Sequence, residues 1–369
     1  MTRWIIAGGG TGGHVTPALA LGEVIHEAGD PVLFVGTRRG IERRLVPEAG
    51  FELELLDSRP FVGRSAGERV RALLALARGT LRARRLLRRF RADLVIAVGG
   101  YASAAPALAA RSCRLPLVLV NTDAVPGVAN RLLGRLARRI FVGFPGAAEI
   151  LGRGGGDPRV RVSGVPLRRE LCRAFATRPA PAPPHEPSDL RHLFVFGGSQ
   201  GARQINDLML AALPELDPAR LRVVHQTGER DRQRVAEAYV RAGFSAEVVA
   251  FERDMARRYR EAQLVVCRAG AITVAELALC GRAALLLPLA HVGGGEQPAN
   301  ARELEKCGGA RVLDSRQLSP TEFVRELRSL LEDPARLEAM SRAAASLARP
   351  RAAEEIVAAC RELVEARAG

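Results

Sequence analysis

Residues 4–14 read WIIAGGGTGGH, and this stretch decides the fold. The apolar run Trp4–Ala7 predicts a short buried strand, and the glycines after it lead into a helix from about Pro17 to Ala28. Pro17 suits a first helical turn, and Gly29 suits the residue that follows a helix. Because glycines let a backbone approach a ligand closely and a helix N-terminus favours negative charge, the loop predicts an anion-binding site.

Strands alternate with helical segments along the rest of the chain. Further apolar runs predict strands at Val32–Val35, Leu94–Val98, Leu117–Val120, Ile140–Val142, Leu193–Phe196, Val223–His225, Glu247–Ala250, Leu264–Cys267 and Ala284–Pro288. The alternation predicts an α/β fold of two Rossmann-like, doubly wound parallel-sheet domains facing a central cleft. In such sheets, ligands bind beyond the carboxyl ends of the strands.

A proline-rich segment lies near the expected domain boundary. Residues 176–189, ATRPAPAPPHEPSD, match neither a helix nor a strand and are interpreted as a connector. We expect an N-terminal, acceptor-side domain over residues 1–164 and a C-terminal donor domain over residues 165–345. Residues 334–367 predict helix, and the part from about 346 to 369 is expected to pack back on the N-terminal domain.

Composition narrows the class of protein. The chain has 369 residues and a net charge of +15, with Lys306 as its only lysine, so its basic charge is almost entirely arginine. Such charge favours phosphorylated substrates, anionic lipid or nucleic acid as partners. The six cysteines include no C-x-x-C pair, so neither zinc nor a disulfide framework is predicted. No apolar run approaches ~18 residues, so no transmembrane helix is predicted.

The first glycine loop leaves a dinucleotide site open as an alternative. Gly8, Gly10 and Gly13 satisfy G-x-G-x-x-G, which expects an acid at the end of the second strand. That strand instead ends FVGTR at residues 34–38, where Arg38 could accept a 2′-phosphate, so NADP is weakened but stays open. A purely structural turn is the other alternative. His14, at the start of the helix, is a candidate general base.

Three further loops carry polar groups beside predicted helix starts. Residues 197–203, GGSQGAR, offer amides and the Ser199 hydroxyl to a phosphate, and the absence of Gly-Lys-Ser/Thr excludes a P-loop NTPase. Residues 267–276, CRAGAITVAE, suit a diphosphate at the helix start and ribose hydroxyls at Glu276, although Glu276 could equally be an acid that complements the helix dipole. Glu296, Gln297 and Asn300 form a hydrogen-bonding cluster suited to a sugar.

Together these segments resemble the MurG family of bacterial cell-wall N-acetylglucosamine transferases. The segments that carry the resemblance are GGGTGGHVTPALA (8–20), VGGYASAAPALAA (98–110), FGGSQGARQIN (196–206), CRAGAITVAEL (267–277) and EQPANA (296–301). The resemblance covers nearly the whole chain. It implies a GT-B fold and inverting transfer of N-acetylglucosamine from UDP-N-acetylglucosamine to the C4 hydroxyl of lipid-linked muramoyl-pentapeptide. It implies neither a cofactor nor a bound metal.

The resemblance also assigns individual residues. His14 occupies the proposed general-base position, Glu276 matches the ribose acid, and the backbone at Glu252 matches the uracil-reading position. The other matched donor and substrate positions are Thr11, Gly12, Gly13, Tyr101, Asp123, Arg168, Ser199, Asn206, Gly270, Ala271, Ile272, Thr273, Val274, Ala275, Glu296, Gln297 and Asn300.

Two segments depart from the family pattern. The family commonly has Glu-Gln-Asn where this chain has Asn121-Thr122-Asp123, ahead of Pro126-Gly127-Val-Ala-Asn130. The change removes an acid near the reaction centre, which leaves His14 as the main candidate base. The glycine run 293–295 replaces residues that are usually charged or bulky. Either departure could alter the preference for donor or acceptor.

A basic segment indicates a membrane partner. Ten arginines lie from Arg64 to Arg91, interleaved with Val70, Leu73, Leu74, Leu81, Leu86, Leu87 and Phe90. One or two amphipathic helices are predicted, docking on an anionic membrane at its cytoplasmic face. A solvated helix face is the alternative, and nucleic-acid binding is not favoured because no recognition motif accompanies the charge.

Three rival functions stay open. One is another GT-B UDP-sugar glycosyltransferase with a glycolipid or natural-product acceptor, and another is a UDP-sugar 2-epimerase. An epimerase needs acids and histidines placed at the sugar C2, whereas the His14 loop and residues 197–206 favour transfer. The third is a non-catalytic membrane scaffold that keeps the fold.

Overall fold

The computed structural model describes residues 1–56, 66–152, 154, 156–176, 190–198, 201–289 and 295–368, with the side chains of residues 66–71 and 368 left aside. The chain divides into two compact units. The N-terminal unit comprises Met1–Arg169 and Arg349–Gly369, and the C-terminal unit comprises Glu170–Ala348. The sequence placed these boundaries at 164/165 and about 345/346, so Arg168 belongs to the N-terminal unit.

In its described residues, the N-terminal unit holds a seven-stranded parallel sheet in the order β3-β2-β1-β4-β5-β6-β7. Its strands are β1 (Trp4–Ala7), β2 (Val32–Thr37), β3 (Leu53–Leu56), β4 (Leu94–Ala97), β5 (Leu117–Asn121), β6 (Arg139–Val142) and β7 (Val160–Val162). Its helices are α1 (Gly12–Glu27), α2 (Glu42–Glu48), α3 (Ala66–Phe90), α4 (Ala104–Ser112), α5 (Val128–Gly134), α6 (Pro145–Leu151) and the final helix of the chain, α15 (Ala352–Ala368), with a 3₁₀ turn at Tyr101–Ser103.

The described part of the C-terminal unit holds a six-stranded parallel sheet in the order β10-β9-β8-β11-β12-β13. Its strands are β8 (Arg191–Phe196), β9 (Leu221–Gln226), β10 (Ala246–Val249), β11 (Leu264–Cys267), β12 (Ala283–Leu286) and β13 (Ala310–Val312). Helix α7 (Arg169–Ala174) crosses the boundary, and the unit's other helices are α8 (Arg203–Ala212), α9 (Arg232–Arg241), α10 (Met255–Glu261), α11 (Ala271–Cys280), α12 (Glu296–Lys306), α13 (Pro320–Leu331) and α14 (Pro334–Ala345), with 3₁₀ turns at Leu213–Glu215 and Glu229–Asp231.

The strand order creates a switch point in each sheet. In the N-terminal unit the chain reverses direction between β1 and β4, which pair in register from Trp4 with Leu94. In the C-terminal unit it reverses between β8 and β11, which pair from Leu193 with Leu264. Loops after these strands diverge at the switch point and leave room for ligands. The predicted fold of two Rossmann-like parallel sheets is confirmed.

The last helix completes the core of the first unit. Ile356, Val357 and Cys360 of α15 are buried in the same cluster as Trp4 and Ile6 of β1. At the surface of this cluster, the Asp30 carboxylate accepts a bond of 3.1 Å from Trp4 Nε1 and one of 2.9 Å from Arg361 Nη2. The chain therefore returns to its starting unit after the second one is finished.

Several predicted bounds were wrong. Helix α1 begins at Gly12, so Pro17 lies inside it rather than in its first turn, where it lacks the amide that would donate to the Gly13 carbonyl. The predicted helix over 334–367 is two helices, α14 and α15, separated by residues 346–351. Strands β3, β7 and β13 were not predicted. The connector at 177–189 lies outside the described residues.

Helix α3 forms one continuous helix over most of the basic segment. Leu86 and Leu87 are buried in the core, whereas Leu73, Leu74 and Leu81 are 53%, 53% and 58% exposed. Arg64 lies outside the described residues. Within the described part of the chain, no helix is both long and apolar enough to cross a membrane.

Candidate functional site

The first glycine loop leaves the buried strand β1 and turns into α1 at the switch point of the N-terminal sheet. Gly10 has φ +96°, a left-handed conformation that a side chain would strain. Thr11 is the N-cap in extended conformation, and its carbonyl accepts from the His14 amide across 3.2 Å. A Cβ at Gly12 would meet nothing within 4 Å, so this face of the loop is open to a ligand.

The His14 side chain is held within this loop. Its Nδ1 lies 3.2 Å from the Thr11 hydroxyl oxygen. The ring packs over Gly99 and Gly100, at the end of β4, because a Cβ at Gly99 would lie 2.9 Å from His14 Cδ2. A Cβ at Gly100 would likewise lie 2.7 Å from the Gly9 carbonyl oxygen. The two glycines that follow β4 thus make the space that the imidazole occupies.

A chain of amides approaches the same place from β5 and α5. Asn130 Nδ2 lies 3.1 Å from where a Gly99 Cβ would stand, and it donates to Asn121 Oδ1 across 2.8 Å. Asn121 Nδ2 in turn donates to the Asp123 carbonyl across 2.7 Å. Asn130 and Asn121 are buried. Residues 121–123, which depart from the family pattern, therefore reach through Asn130 the neighbourhood of Gly99, over which the His14 ring packs.

The remaining predicted residues of this unit differ in their contacts and in their exposure. The Tyr101 ring packs against Gly10, since a Cβ there would lie 3.6 Å from Tyr101 Cε1. Thr11 and Gly13 are exposed beside His14. Arg168 is exposed at the end of the buried segment 163–167, apart from the loop contacts above.

Sequence reasoning missed a buried acid behind the glycine loop. Glu42, the first residue of α2, is fully buried, and its Oε2 accepts from the Gly10 amide across 2.9 Å. The Gly10 amide is therefore engaged by a side chain of the same unit.

The second loop, after β8, is only partly described. Ser199 and Gln200 lie outside the described residues. Gly198 has φ +98°, and its carbonyl accepts from Gln226 Nε2 across 2.7 Å. The Glu252 amide donates to Oε1 of the same glutamine across 2.9 Å. Gln226, at the end of β9, therefore links the second glycine loop to the predicted uracil-reading position, a link that the sequence did not reveal.

The Glu252 side chain serves the local fold. Burial alone would raise its pKa, but the hydrogen bond from Arg258, helped by the amides of Asp254 and Arg253, outweighs it and holds the pKa of Glu252 below its ordinary value. Arg258 Nε lies 2.6 Å from Glu252 Oε2. Phe251, the preceding residue, is 54% exposed.

Asn206 lies inside the C-terminal unit and not on its surface. Its Nδ2 donates to the Thr227 carbonyl across 3.1 Å and to Asp231 Oδ2 across 2.8 Å. Its Oδ1 lies 3.1 Å from His225 Nε2. Both polar atoms of the Asn206 side chain thus have partners within the unit. Its structural effect is to hold Thr227, whose carbonyl oxygen would lie 2.0 Å from a Cβ at Gly201.

The third loop follows β11 and opens α11. Gly270 is the N-cap in extended conformation and supplies no side-chain cap, which leaves the amides of the first turn to another partner. Ile272, Thr273 and Ala275 are half-buried, whereas Ala271 and Val274 are buried, so the latter two can offer only backbone.

Glu276 lies in the second turn of α11, not in its first, so the helix-dipole interpretation does not fit it. Its Oε2 accepts from the Tyr259 hydroxyl across 2.9 Å, and the residue is half-buried. Burial raises the pKa of Tyr259 well above its ordinary value, so the phenol remains a donor at working pH. The carboxylate is thus fixed in one orientation.

The fourth segment is tied to the third loop. Asn300 is fully buried, and its Nδ2 donates to the Ala269 carbonyl across 3.3 Å. Gln297 Oε1 accepts from the Leu289 amide across 2.9 Å. Glu296 begins α12 and is half-buried, and Gly295 before it has φ +87°. Residues 291–294 lie outside the described residues. Among those described, no group of three or more His, Cys, Asp or Glu is placed to hold a metal ion.

Two parallel-sheet units, each with a glycine-rich loop at its switch point, are the architecture of the GT-B fold. Residues 4–142 match the glycosyltransferase family 28 N-terminal domain, and residues 192–356 match the C-terminal domain of the same family. The chain belongs to glycosyltransferase family 28 and, within it, to the MurG family, as its relatives show.

Two relatives are similar over almost their whole length. The Syntrophotalea carbinolica UDP-N-acetylglucosamine–N-acetylmuramyl-(pentapeptide) pyrophosphoryl-undecaprenol N-acetylglucosamine transferase is 46% identical, covering 98% of this chain and 99% of the relative. The protein of the same name from Anaeromyxobacter dehalogenans is 41% identical, covering 100% and 94%. The crystal structure of Acinetobacter baumannii MurG matches with a TM-score of 0.81 at 27% identity, covering 98% of this chain and 100% of that one.

Proposed function

We propose that the chain transfers N-acetylglucosamine from UDP-N-acetylglucosamine to the C4 hydroxyl of undecaprenyl-pyrophosphoryl N-acetylmuramoyl-pentapeptide, with inversion, in peptidoglycan synthesis. The observation that carries this proposal is the 46% identity to a transferase named for that donor and acceptor, over 98% of this chain. The geometry of the loops supports it, because two of the predicted site residues, His14 and Glu276, are held by hydrogen-bonding partners, Thr11 and Tyr259.

In the proposed reaction His14 acts as the general base. For Nε2 to accept a proton, Nδ1 must carry the hydrogen, which it then donates to the Thr11 hydroxyl at 3.2 Å. The acceptor oxygen forms its bond to C1 of the sugar as its proton passes to Nε2. The bond from C1 to the UDP oxygen breaks, and UDP leaves with the electron pair. The Thr11 oxygen stabilises the imidazolium that forms.

The C-terminal unit binds the donor in this proposal. The uncapped amides at the start of α11 meet the diphosphate, and their fixed dipoles stabilise the charge that develops on UDP. We assign the ribose hydroxyls to the Glu276 carboxylate, whose Oε2 is held by the Tyr259 hydroxyl. The Glu252 amide is engaged by Gln226, so the Glu252 carbonyl is the backbone group left for the uracil.

We also propose that the exposed face of α3 docks on an anionic membrane. Leu74, Arg78, Leu81 and Arg85 follow helical spacing and are all exposed, which combines apolar groups with positive charge on one face. Such a face lies at a bilayer surface with its leucines buried and its arginines near anionic headgroups. A lipid-linked acceptor requires the enzyme to reach that surface.

The test of the activity uses the purified chain, radiolabelled UDP-N-acetylglucosamine and a short-chain analogue of the lipid-linked acceptor. We expect label in the lipid product, and little transfer from UDP-glucose or UDP-N-acetylgalactosamine. Normal binding of UDP-N-acetylglucosamine without transfer to the acceptor analogue would contradict the proposal and favour a scaffold.

A further inference from the structure

Glu42 is a fully buried acid with three hydrogen-bond donors directed at it. Its Oε2 accepts from the Gly10 amide across 2.9 Å. Its Oε1 accepts from the Thr37 amide across 2.8 Å and from the Thr37 hydroxyl across 2.9 Å. An acid buried to this degree is rare unless its oxygens are satisfied. The glycine loop and the end of β2 are therefore joined through one carboxylate.

Glycines from three segments shape the space around that carboxylate. A Cβ at Gly9 would lie 2.3 Å from Glu42 Oε1, one at Gly36 would lie 2.5 Å from its Cγ, and one at Gly40 would lie 1.9 Å from its Oε2. No side chain could occupy any of these positions without displacing the acid. The chain thus reserves this space for the Glu42 side chain.

The path from Glu42 to His14 is short. Gly10, whose amide the carboxylate holds, directly precedes Thr11. Thr11 contacts His14 twice, through its carbonyl at 3.2 Å from the His14 amide and through its hydroxyl at 3.2 Å from Nδ1. The Tyr101 ring also lies beside Gly10, since a Cβ there would be 3.6 Å from Tyr101 Cε1.

We propose that Glu42 is a positioning residue for the candidate base His14, an inference that rests on the proposed function. Its carboxylate accepts from the Gly10 amide and fixes the conformation of Gly10, and thereby the orientation of Thr11 and of the imidazole. One face of the loop is closed by this acid, and the Gly12–Gly13 face remains for the substrate.

The experiment compares Glu42→Gln and Thr37→Val with Glu48→Gln, a matched control at an exposed acid of the same helix. The NH2 group of the glutamine would replace one carboxylate oxygen and could not accept from the donor that faces it. The valine keeps the shape of Thr37 but removes only its hydroxyl. We expect Glu42→Gln to lower kcat by about 10- to 100-fold, with KM for UDP-N-acetylglucosamine within about threefold, because misplacing a reacting group by an ångström costs rate on that order. Thr37→Val should lower kcat less, and Glu48→Gln should not.

A second readout does not depend on turnover. With ¹³C-labelled histidine, the His14 Cε1–H signal is assigned by its loss in His14→Gln, and its chemical shift and titration midpoint are followed. Both should change in Glu42→Gln and Thr37→Val and stay at wild-type values in Glu48→Gln. Fluorescence of Trp4, the single tryptophan, which is buried in β1, checks that the N-terminal unit is folded at the assay temperature.

The outcomes separate the two proposals. If the wild type transfers sugar but folded Glu42→Gln and Thr37→Val keep its kcat and its His14 signal, the positioning role is wrong and the proposed function stands. If the wild type does not transfer sugar, the function is wrong, and the His14 signal alone decides the positioning role. Should Glu42→Gln fail to fold, an unchanged His14 signal and kcat in Thr37→Val overturn the inference.

Discussion

The Tyr259 hydroxyl donates a 2.9 Å hydrogen bond to Glu276 Oε2 from a fully buried ring. This bond fixes the acid that we assign to the ribose. Tyr259→Phe removes one hydrogen bond of about 0.5–1.5 kcal/mol, so the Kd for UDP should rise roughly 3- to 10-fold. Isothermal titration calorimetry with UDP measures the change. Tyr239→Phe is the control, because the hydroxyl of that buried tyrosine contacts His225 and not Glu276. The affinity of this variant for UDP should stay at the wild-type value. Equal affinities for all three proteins would show that the hydrogen bond from Tyr259 does not support UDP binding.

The general-base role of His14 is tested by His14→Ala. Removing a general base lowers rates by about 10²–10⁴, so kcat should fall by that factor while KM for UDP-N-acetylglucosamine changes little. Steady-state kinetics with the acceptor analogue provides both values. His26→Ala, an exposed histidine near the end of the same helix, should keep wild-type kinetics. Near-full turnover by His14→Ala would show that another group takes the proton.

Buried His225 should make the C-terminal unit sensitive to acid. Burial lowers its pKa from 6.5 to about 3, against an opposing effect of Asp231. Between these values the unfolded chain binds a proton that the folded chain does not, so the free energy of unfolding falls as pH drops below 6.5, by about 1.4 kcal/mol per unit. Denaturant titrations at pH 7.5 and pH 5 should therefore show a loss near 2 kcal/mol from this group.

The variant His225→Gln isolates that contribution, because glutamine does not titrate. Its stability should fall less between pH 7.5 and pH 5 than that of the wild type, by the amount assigned to His225. His26→Gln, at an exposed site, should follow the wild type. Parallel pH profiles for the wild type and His225→Gln would mean that the pKa of His225 is the same in the folded and the unfolded chain.

Membrane docking by α3 predicts a dependence on charge. Arg78→Ala with Arg85→Ala should weaken binding to vesicles that contain phosphatidylglycerol by about 1 kcal/mol for each arginine, or roughly 30-fold together. Vesicle sedimentation measures the affinity. The control pair, Arg222→Ala with Arg230→Ala, removes the same charge from exposed positions of the C-terminal unit. If both pairs weaken binding equally, the attraction is a general effect of net charge.

The central strands could be predicted from sequence because they are buried on both faces and consist of continuous apolar runs. The prediction for β11 matched to the residue. The unpredicted strands β3, β7 and β13 are short and partly exposed, so they lack such runs. Edge strands pair on one side only, and their identity depends on a neighbour that the local sequence does not specify.

The candidate site, like the strands, could be predicted from the sequence only in part. Its glycine loops were visible as motifs, and the roles given to the site residues stay predictions. Glu42 was missed because it is 32 residues from Gly10 and an acid is ordinarily read as exposed. The available signal was Gly36, near the end of the second strand, with Gly40 and Glu42 shortly after it. The burial of Asn206 and Asn300 was missed because a polar residue in a motif suggests contact with ligand, whereas both bind backbone carbonyls.

The return of α15 to the first unit has a consequence for synthesis on the ribosome. Residues 353–360 are needed to cover β1 and its neighbours, yet they follow the whole C-terminal unit in the chain. The C-terminal unit is continuous from Glu170 to Ala348 and can finish folding while the chain is still attached. The N-terminal unit therefore closes its core only after the whole C-terminal unit has been translated.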